Sequence, residues 1–172
     1  MDLVAYSDAS WADDQENRRS VGAFAMLLAG GAVSWRSKQQ SLIATSTTES
    51  EMIALSDATK EVLSFRALMR DLGVTQPSST RIFEDNSACI AIAQNPSHYG
   101  RTKHFSVITL FVRERIAFGD VHLEYCPTAD MTADVLTKGL AKTAFERHRA
   151  GLGMISLAAM VGGSITDVGR RM

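Results

Sequence analysis

The sequence lacks the features that would place it in several specialised classes of protein. Its 172 residues include only two cysteines, Cys89 and Cys126, so a disulfide framework is excluded. No apolar run approaches the roughly 18 to 20 residues that a membrane-spanning helix needs, and the N-terminus lacks the basic and apolar regions of a secretory signal. We therefore expect an intracellular, cytoplasmic protein with no membrane partner, in which both cysteines are buried as small hydrophobic side chains.

An excess of charge of one sign is also absent. The formal net charge is -1, which argues against nucleic-acid binding by bulk electrostatics. It does not exclude an enzyme in which the negative charge of an acidic catalytic centre balances the positive charge of a substrate-binding surface. The length and the 45% of hydrophobic residues predict one folded domain, with bounds of 1–150. Residues 151–172, rich in Gly, Ala and Met, are expected to form a C-terminal extension of unknown role.

The pattern of apolar residues predicts the element order β-β-β-α-β-α-α-β-α. Three strands at 3–6, 20–29 and 32–37 come first, with the turn between the second and third at Gly30-Gly31. A long helix begins at the capping box Ser46 to Glu49, and Gly73 ends it. The later elements are strands at 81–85 and 121–126 and helices at 87–94, 104–118 and 133–148, the last capped by Thr132. This order implies an α/β fold with a mixed sheet covered by helices.

Four acidic residues on four of these elements are predicted to converge at one edge of the sheet. Asp8 ends the first strand, Asp85 ends the fourth, and Asp134 lies in the first turn of the last helix. Glu51 lies on the apolar face of the long helix, whereas Glu49 is about 200° away and faces solvent. The residues that share the face of Glu51 are Leu55, Ala58 and Val62.

Each aspartate alone has a simple structural interpretation. Asp134 can interact favourably with the positive end of a helix dipole, Asp85 can simply end a strand, and Asp8 can be a turn residue. Glu51 is different, because a lone carboxylate on an apolar helix face loses several kcal/mol of solvation unless it has a partner. Four converging acids would repel one another unless cations lay between them, and hard oxygen ligands select Mg²⁺ or Mn²⁺.

Several motifs, in order, resemble a known family. They are YSDASWA at 6–12, GAVSWRSKQQ at 31–40, STTESEMIAL at 46–55, EDNSA at 84–88, RTKH at 101–104 and ADVLTK at 133–138. The set is similar to the ribonuclease H domain of copia-type retrotransposon polyproteins, over residues 3 to 140. The resemblance implies a ribonuclease H-like fold: a five-stranded mixed sheet, the first three strands antiparallel, with helices on both faces. It also implies cleavage of the RNA strand of RNA–DNA hybrids.

The family's catalytic, metal-binding acids carry over as Asp8, Glu51, Asp85 and Asp134. The resemblance implies two Mg²⁺ ions, with Mn²⁺ as a possible substitute, and a product with a 5′-phosphate. Asp8 and Asp85 would flank both ions, Glu51 would hold the ion on the leaving-group side, and Asp134 the ion that activates water. The implied partners are an RNA–DNA hybrid and an upstream reverse transcriptase domain, and an active element would place the chain in a virus-like particle.

Contacts with the hybrid are expected from hydroxyl, amide and basic groups near the acids. The candidates for nucleic-acid binding are Ser10, Asn86, Ser87, Arg101, Lys103 and His104. The basic residues fit an ordinary solvated helix face equally well, and His104 fits a capping or buried histidine better. Trp11 could stack on nucleic acid, whereas Trp35 is predicted to be core.

The sequence departs from the family pattern at several places, one of them a segment before Gly22 that is one residue shorter than usual. Ser106 replaces an acid, Leu110 replaces a histidine, and the loop at 126–132 lacks the mobile histidine of cellular ribonucleases H. The family would continue upstream of Met1, so a polyprotein fragment, a decayed copy and a co-opted gene all remain open. The alternative to the enzyme is therefore a non-catalytic, duplex-binding domain of the same fold.

Overall fold

The computed structural model describes residues 2–95 and 103–155. Of Lys103 and His104 it describes the backbone only. The strands in these residues are β1 (Leu3–Ser10), β2 (Val21–Leu28), β3 (Gly31–Gln39), β4 (Thr80–Glu84) and β5 (Val121–Tyr125). The α-helices are α1 (Thr47–Asp71), α2 (Ser87–Gln94), α3 (Lys103–Ala117) and α4 (Lys142–Gly151). Two 3₁₀ turns, Thr128–Asp130 and Thr132–Leu136, lie between β5 and α4.

The strands form one mixed sheet in the order β3-β2-β1-β4-β5. The β1–β2 and β2–β3 pairs are antiparallel, and the β1–β4 and β4–β5 pairs are parallel. The predicted α/β class is confirmed, as are the five-stranded mixed sheet and its antiparallel first three strands. β1 lies at the centre, so residues at its carboxyl end can meet groups carried by both neighbouring strands.

The β2–β3 hairpin turns one residue earlier than predicted. Ala29 and Gly30 are the turn residues, with φ of 52° and 83°, and Gly31 already begins β3. Gly tolerates positive φ without cost, and Ala at this position accepts a small strain. β3 then continues to Gln39, which pairs with Val21. Its polar residues at 38–39, beyond the predicted end at Ser37, did not indicate a strand because β3 is an edge strand, where side chains stay solvated.

The N-terminus of α1 matches the predicted capping signal, with one change. The Ser46 hydroxyl accepts the N–H of Glu49 at 3.2 Å, as in a capping box. The Glu49 carboxylate accepts the N–H of Thr45 at 2.7 Å, one residue before the cap. At the other end, Gly73 has a φ of 77° and follows the C-cap Leu72, as predicted for a glycine stop.

The two faces of the sheet carry different elements. On β3, Ser34 and Arg36 contact Glu61 and Asp57 of α1, whereas the hydroxyl of Ser37 donates to the Leu136 carbonyl at 2.6 Å. Side chains alternate between faces along a strand, so α1 and the 132–136 turn lie on opposite faces. The expected helical elements on both faces are therefore present.

Trp35 is not a core residue, contrary to the prediction. Its side chain lies on the same face as the 132–136 turn, but it is 63% exposed. That turn packs on β1 and β2 and leaves the Trp35 side chain uncovered. Aromatic character predicts burial only where a neighbouring element covers the position.

Two apolar clusters stabilise the sheet. The main cluster lies between the sheet and helices α1 to α3, and it includes Leu55, Ile82 and Cys89. A smaller one contains Cys126 and packs against the stacked rings of Tyr6 and Phe83, whose centroids are 4.8 Å apart. Both cysteines are buried and free, as predicted, and burial raises the pKa of each thiol. Within the described residues, no helix combines the length and apolar character needed to cross a membrane.

The last helix predicted from the sequence is two separate elements. The 3₁₀ turn Thr132–Leu136 is followed by an irregular segment through Ala141, and α4 begins at Lys142. Thr132 does not cap a helix, since the residue before the turn is Met131 and makes no side-chain cap. Gly139 weakens helix propagation in the intervening segment.

The start of the predicted C-terminal extension packs against the hairpin. The carbonyl of Leu152 accepts the N–H of Ala32 at 3.0 Å. α4 ends at Gly151, so the domain boundary at 150 stays a prediction. Residues 156–172 lie outside the described residues, and the role of the extension stays unassigned.

Candidate active site

The register of the parallel β1–β4 pair places Asp8 beside Asp85. Tyr6 pairs with Phe83, and each aspartate lies two residues further along on the same face. Asp85 directly follows β4, as predicted. Asp8 lies inside β1 rather than at its end, because β1 continues beside β2 to Ser10.

Asp134 completes a group of three carboxylates. One oxygen each from Asp8, Asp85 and Asp134 lies within 4.8 Å of the other two. Asp8 and Asp134 are buried, at 2% and 4% exposure, and Asp85 is partly buried. Asp134 comes from the 3₁₀ turn on the second face, so three separate elements supply the group.

Glu51 joins a second group on the α1 side of the sheet. It is 3% exposed and shares its helix face with buried apolar residues, as the helical periodicity predicted. One oxygen each from Glu51, Glu84 and Asp85 lies within 4.8 Å of the other two. Asp85 belongs to both groups, so the four predicted acids form one connected cluster. Their role as metal ligands stays a prediction.

Two of the predicted carboxylates, Asp8 and Glu51, have a raised pKa. Burial, together with the charges of Asp134 and Asp85, raises the pKa of Asp8 to about 6, against the hydrogen bond from Thr137. Burial, followed by the charges of neighbouring acids, holds the pKa of Glu51 well above its usual range. Such shifts arise where carboxylates share a site with too little positive charge, and they are common at functional sites.

Two hydroxyls and one ammonium group contact the cluster. The Thr137 hydroxyl donates to Asp8, and the Thr128 hydroxyl donates to Asp85 at 2.6 Å. The Lys138 ammonium lies 2.9 Å from Asp134 and 3.9 Å from Asp8. Burial lowers the pKa of Lys138, but these acidic neighbours outweigh burial, and the pKa is raised.

Sequence reasoning missed Glu84 and Lys138 as members of the cluster. The signal for Glu84 was its place in β4, two residues after Ile82 and hence on the face that α1 covers. The signal for Lys138 was its spacing, four residues after Asp134, which suits an ion pair. Neither position stood out because each was read only as part of a longer motif.

The predicted hydroxyl and amide contacts lie near the cluster. Ser10 is two residues after Asp8 on the same face of β1 and is partly buried. Asn86 caps α2, where its side-chain oxygen accepts the N–H of Cys89 at 3.0 Å, so its amide N–H₂ is the group left to donate. Ser87 is exposed in the first turn of α2.

The predicted basic contacts are only partly described. Arg101 and the side chains of Lys103 and His104 lie outside the described residues. Of the nearby basic residues, Arg113 donates to the Ile92 carbonyl at 2.6 Å, and Arg115 pairs with two acids. Arg113 and Arg115 therefore have partners within the fold, and the choice between hybrid contacts and a solvated helix face stays untested for the predicted residues.

The donor set fits a divalent cation. Carboxylate oxygens are the ligands that Mg²⁺ and Mn²⁺ prefer, and buried oxygens of Glu51 and Glu84 have no hydrogen-bond partner. Such oxygens are rare in folded proteins unless an ion or water satisfies them. A cation would also counter the burial and the neighbouring charges that together raise the pKa of Asp8.

Comparison with solved structures shows the fold. A ribonuclease H1 from Halobacterium salinarum superposes with a TM-score of 0.59 at 14% identity, covering 80% of this chain and 95% of that one. The LC11 ribonuclease H1 in complex with an RNA/DNA hybrid gives 0.57 at 14% identity, covering 78% and 93%. A prototype foamy virus protease–reverse transcriptase gives 0.51 at 10% identity, covering 90% and 21%.

The sequence relatives of the chain are retrotransposon Pol polyproteins. It is 33% identical over 154 residues to the retrovirus-related Pol polyprotein from transposon TNT 1-94 of Nicotiana tabacum. It is 30% identical over 163 residues to that from transposon RE2 of Arabidopsis thaliana. The chain matches the ribonuclease H domain of copia-type retrotransposon polyproteins. The matches cover 90% and 95% of this chain but only 12% and 11% of the two polyproteins. No family model matches the chain.

Proposed function

We propose that this ribonuclease H-like chain is a metal-dependent endonuclease that hydrolyses the RNA strand of RNA–DNA hybrids. The observation that carries the proposal is the cluster of carboxylates at the carboxyl end of β1 and β4, linked through Asp85. The fold supports it, and so does the similarity to retrotransposon Pol polyproteins. The LC11 enzyme, with a similar fold, is described in complex with an RNA/DNA hybrid.

Each acid has a distinct place around the proposed ions. Asp8 and Asp134 lie with Asp85 on one side, and Glu51 lies with Asp85 on the other. Two bound Mg²⁺ ions would supply an activated water molecule and stabilise the leaving oxygen, giving a 5′-phosphate product. The hydroxyls of Thr137 and Thr128 orient Asp8 and Asp85.

The substrate contacts and partners follow the same proposal. Ser10, the Asn86 amide and Ser87 lie next to the acids and can donate to phosphates or 2′-hydroxyls. Arg101, Lys103 and His104 remain candidates for phosphate contacts. We expect an upstream reverse transcriptase domain as a partner, since the relatives are Pol polyproteins that extend well beyond this chain. The cytoplasm, or a virus-like particle, stays the expected location.

A pair of glutamates on α1 provides the sharpest test. Glu51 is buried in the cluster, whereas Glu49 lies two residues away and only supports the cap. Glu51→Gln should lower cleavage of a labelled RNA–DNA hybrid in Mg²⁺ by about 100-fold or more, since even outer-shell changes at metal sites cost about 10- to 100-fold. Glu49→Gln should retain activity and lose about 1 kcal/mol of stability or less.

Three outcomes of this assay have different meanings. Cleavage of the hybrid by wild type but not by Glu51→Gln supports the enzyme. Loss of cleavage in Glu49→Gln with full activity in Glu51→Gln would contradict the site. Binding of the hybrid by wild type without any cleavage would overturn the enzyme and favour the alternative, a non-catalytic duplex-binding domain. An all-RNA duplex and an all-DNA duplex of the same sequence serve as substrate controls.

A further inference from the structure

Glu84 is a fully buried carboxylate that the proposed reaction does not yet use. It is the last residue of β4, on the same face as Thr80 and Ile82, and it is 0% exposed. That face is the one that α1 covers, so Glu84 lies beneath Glu51. The next residue, Asp85, also belongs to the group formed with Asp8 and Asp134.

The hydrogen bonds of Glu84 are incomplete. Its Oε1 accepts the N–H of Asn86 at 3.1 Å, but its Oε2 has no partner. The Ser7 hydroxyl lies close enough to lower the pKa of Glu84, yet it does not reach hydrogen-bond geometry. The Oε2 of the neighbouring Glu51 is also buried and without a partner. Two carboxylates with unsatisfied oxygens therefore lie together in the interior, which is unfavourable unless a cation binds them.

No ion pair among the described side chains fills this role. In residues 2–95 and 105–155, none joins a lysine or arginine to Glu51 or Glu84. The Lys138 ammonium pairs with Asp134 and Asp8 instead. Among the described side chains, the group of Glu51, Glu84 and Asp85 therefore has no lysine or arginine ion-paired to it.

We propose that Glu84 is a fifth metal ligand, which holds one of two divalent cations together with Glu51 and Asp85. The other ion would be held by Asp8, Asp85 and Asp134, so that Asp85 is shared. Five ionised carboxylates and one ammonium carry four negative charges, which two divalent cations neutralise. This assignment rests on the proposed function for the presence of two ions, and it adds a ligand to one of them.

The test measures ion binding rather than cleavage. Metal-free protein is titrated with Mn²⁺ in a calorimeter, as wild type, Glu84→Gln and the control Glu49→Gln. We expect two ions on wild type and on the control. Glu84→Gln keeps an acceptor for the Asn86 N–H but loses the charge, so one ion should bind at least about tenfold more weakly while the other is unchanged. Equal affinities for both ions in wild type and Glu84→Gln would overturn the assignment.

A measurement on wild type covers the case in which Glu84→Gln fails to fold. With ¹³C-labelled glutamate side chains, Mg²⁺ should shift the carboxyl resonances of Glu84 and Glu51 at the same ion concentration and leave that of Glu49 in place. A Glu84 resonance that does not respond would overturn the assignment. Failure of the proposed function is separate, since wild type that binds two ions without cleaving a hybrid would contradict the enzyme and leave Glu84 as a ligand.

Discussion

The lysine Lys138 lies beside two of the buried acids in the candidate active site. The Lys138 ammonium is 2.9 Å from a carboxylate oxygen of Asp134 and 3.9 Å from one of Asp8, and its side chain is 37% exposed. It therefore partly neutralises the acids that are proposed to bind an ion. An ammonium beside these oxygens competes with a divalent cation for the same negative charge.

Lys138→Met should strengthen Mg²⁺ binding and weaken the metal-free fold. Removal of the ammonium leaves more negative charge for the ion, and we expect an affinity gain of about tenfold. In EDTA the variant should melt at a lower temperature than wild type, because the repulsion among the acids is less compensated. Calorimetric titration and thermal melts measure both effects. Lys142→Met, on an 87% exposed side chain, is the control. Weaker Mg²⁺ binding by Lys138→Met would contradict the competition.

The acidity of Asp8 predicts how the metal-free protein responds to pH. Its folded pKa of about 6 is above the usual 3.8. A carboxyl group whose pKa is higher in the folded state than in the unfolded state stabilises the fold at low pH. This contribution is fully present below the unfolded-state pKa and is lost as pH rises through the folded-state pKa. Between pH 8 and pH 5 the free energy of unfolding in EDTA should therefore increase, by on the order of 1 kcal/mol from this group.

Urea unfolding in EDTA at pH 5 to 8 measures this dependence. Asp8→Asn cannot titrate, so its stability should vary less with pH over the same range. The Asn variant should also be the more stable of the two at pH 8, where the ionised Asp8 contributes most repulsion. Parallel pH profiles for wild type and Asp8→Asn would show that Asp8 has an ordinary pKa.

At the scale of elements, local signals decided how well the sequence predicted the fold. α1 was predictable because Ser46 and Gly73 mark its two ends, and α2 because Asn86 caps it and Pro96 follows. The strands were found, but β1 was cut short at Tyr6. Three of the four residues that follow Tyr6 in β1 are polar, and their burial depends on contacts with distant parts of the chain.

The same limit explains what was missed in the site. The convergence of the four predicted acids followed from general rules of strand ends and helix faces. Glu84 was not predicted as a member of the site, because a glutamate is normally expected at the surface. Its burial makes sense only once the acids beside it are known. The hydrogen bond from Thr137 to Asp8 joins residues far apart in the sequence, so it too has no local signature.

Three glycines test the contact between the β2–β3 hairpin and the segment after α4. Gly153 has a φ of 76°, and a Cβ there would lie 2.4 Å from the Gly30 carbonyl oxygen. Gly30 has a φ of 83° with open space around it, and Gly139 has open space and no positive φ. The three positions thus separate steric contact from backbone strain.

Alanine at each position should give a graded loss of stability in urea unfolding. Gly139→Ala should change the free energy of unfolding by less than about 0.5 kcal/mol. Gly30→Ala should cost about 1 to 2 kcal/mol from strain alone. Gly153→Ala should cost about 3 kcal/mol or more, since overpacking adds to the same strain. Equal losses at Gly30 and Gly153 would mean that the segment moves away from the hairpin without cost.

At the scale of the whole molecule, the acid cluster opposes folding unless cations bind. Its members come from β1, α1, β4 and the 132–136 turn, so only the folded chain brings the charges together. The unfolded chain keeps them apart and has no comparable site. Divalent cations should therefore bind the folded state preferentially and stabilise it by mass action, by about 2.7 kcal/mol at one hundred times Kd.

Asp85→Asn should change this linkage more than any other single substitution in the cluster, because Asp85 belongs to both carboxylate groups. Its removal relieves repulsion and weakens ion binding together. In EDTA we expect the variant to melt at a higher temperature than wild type. Millimolar Mg²⁺ should raise its melting temperature by less than it raises that of wild type. The exposed Asp13→Asn, which also removes one negative charge, should shift with Mg²⁺ as wild type does. Thermal melts of the three proteins in both conditions decide the question, and an equal Mg²⁺ shift in wild type and Asp85→Asn would mean that Asp85 only ends a strand.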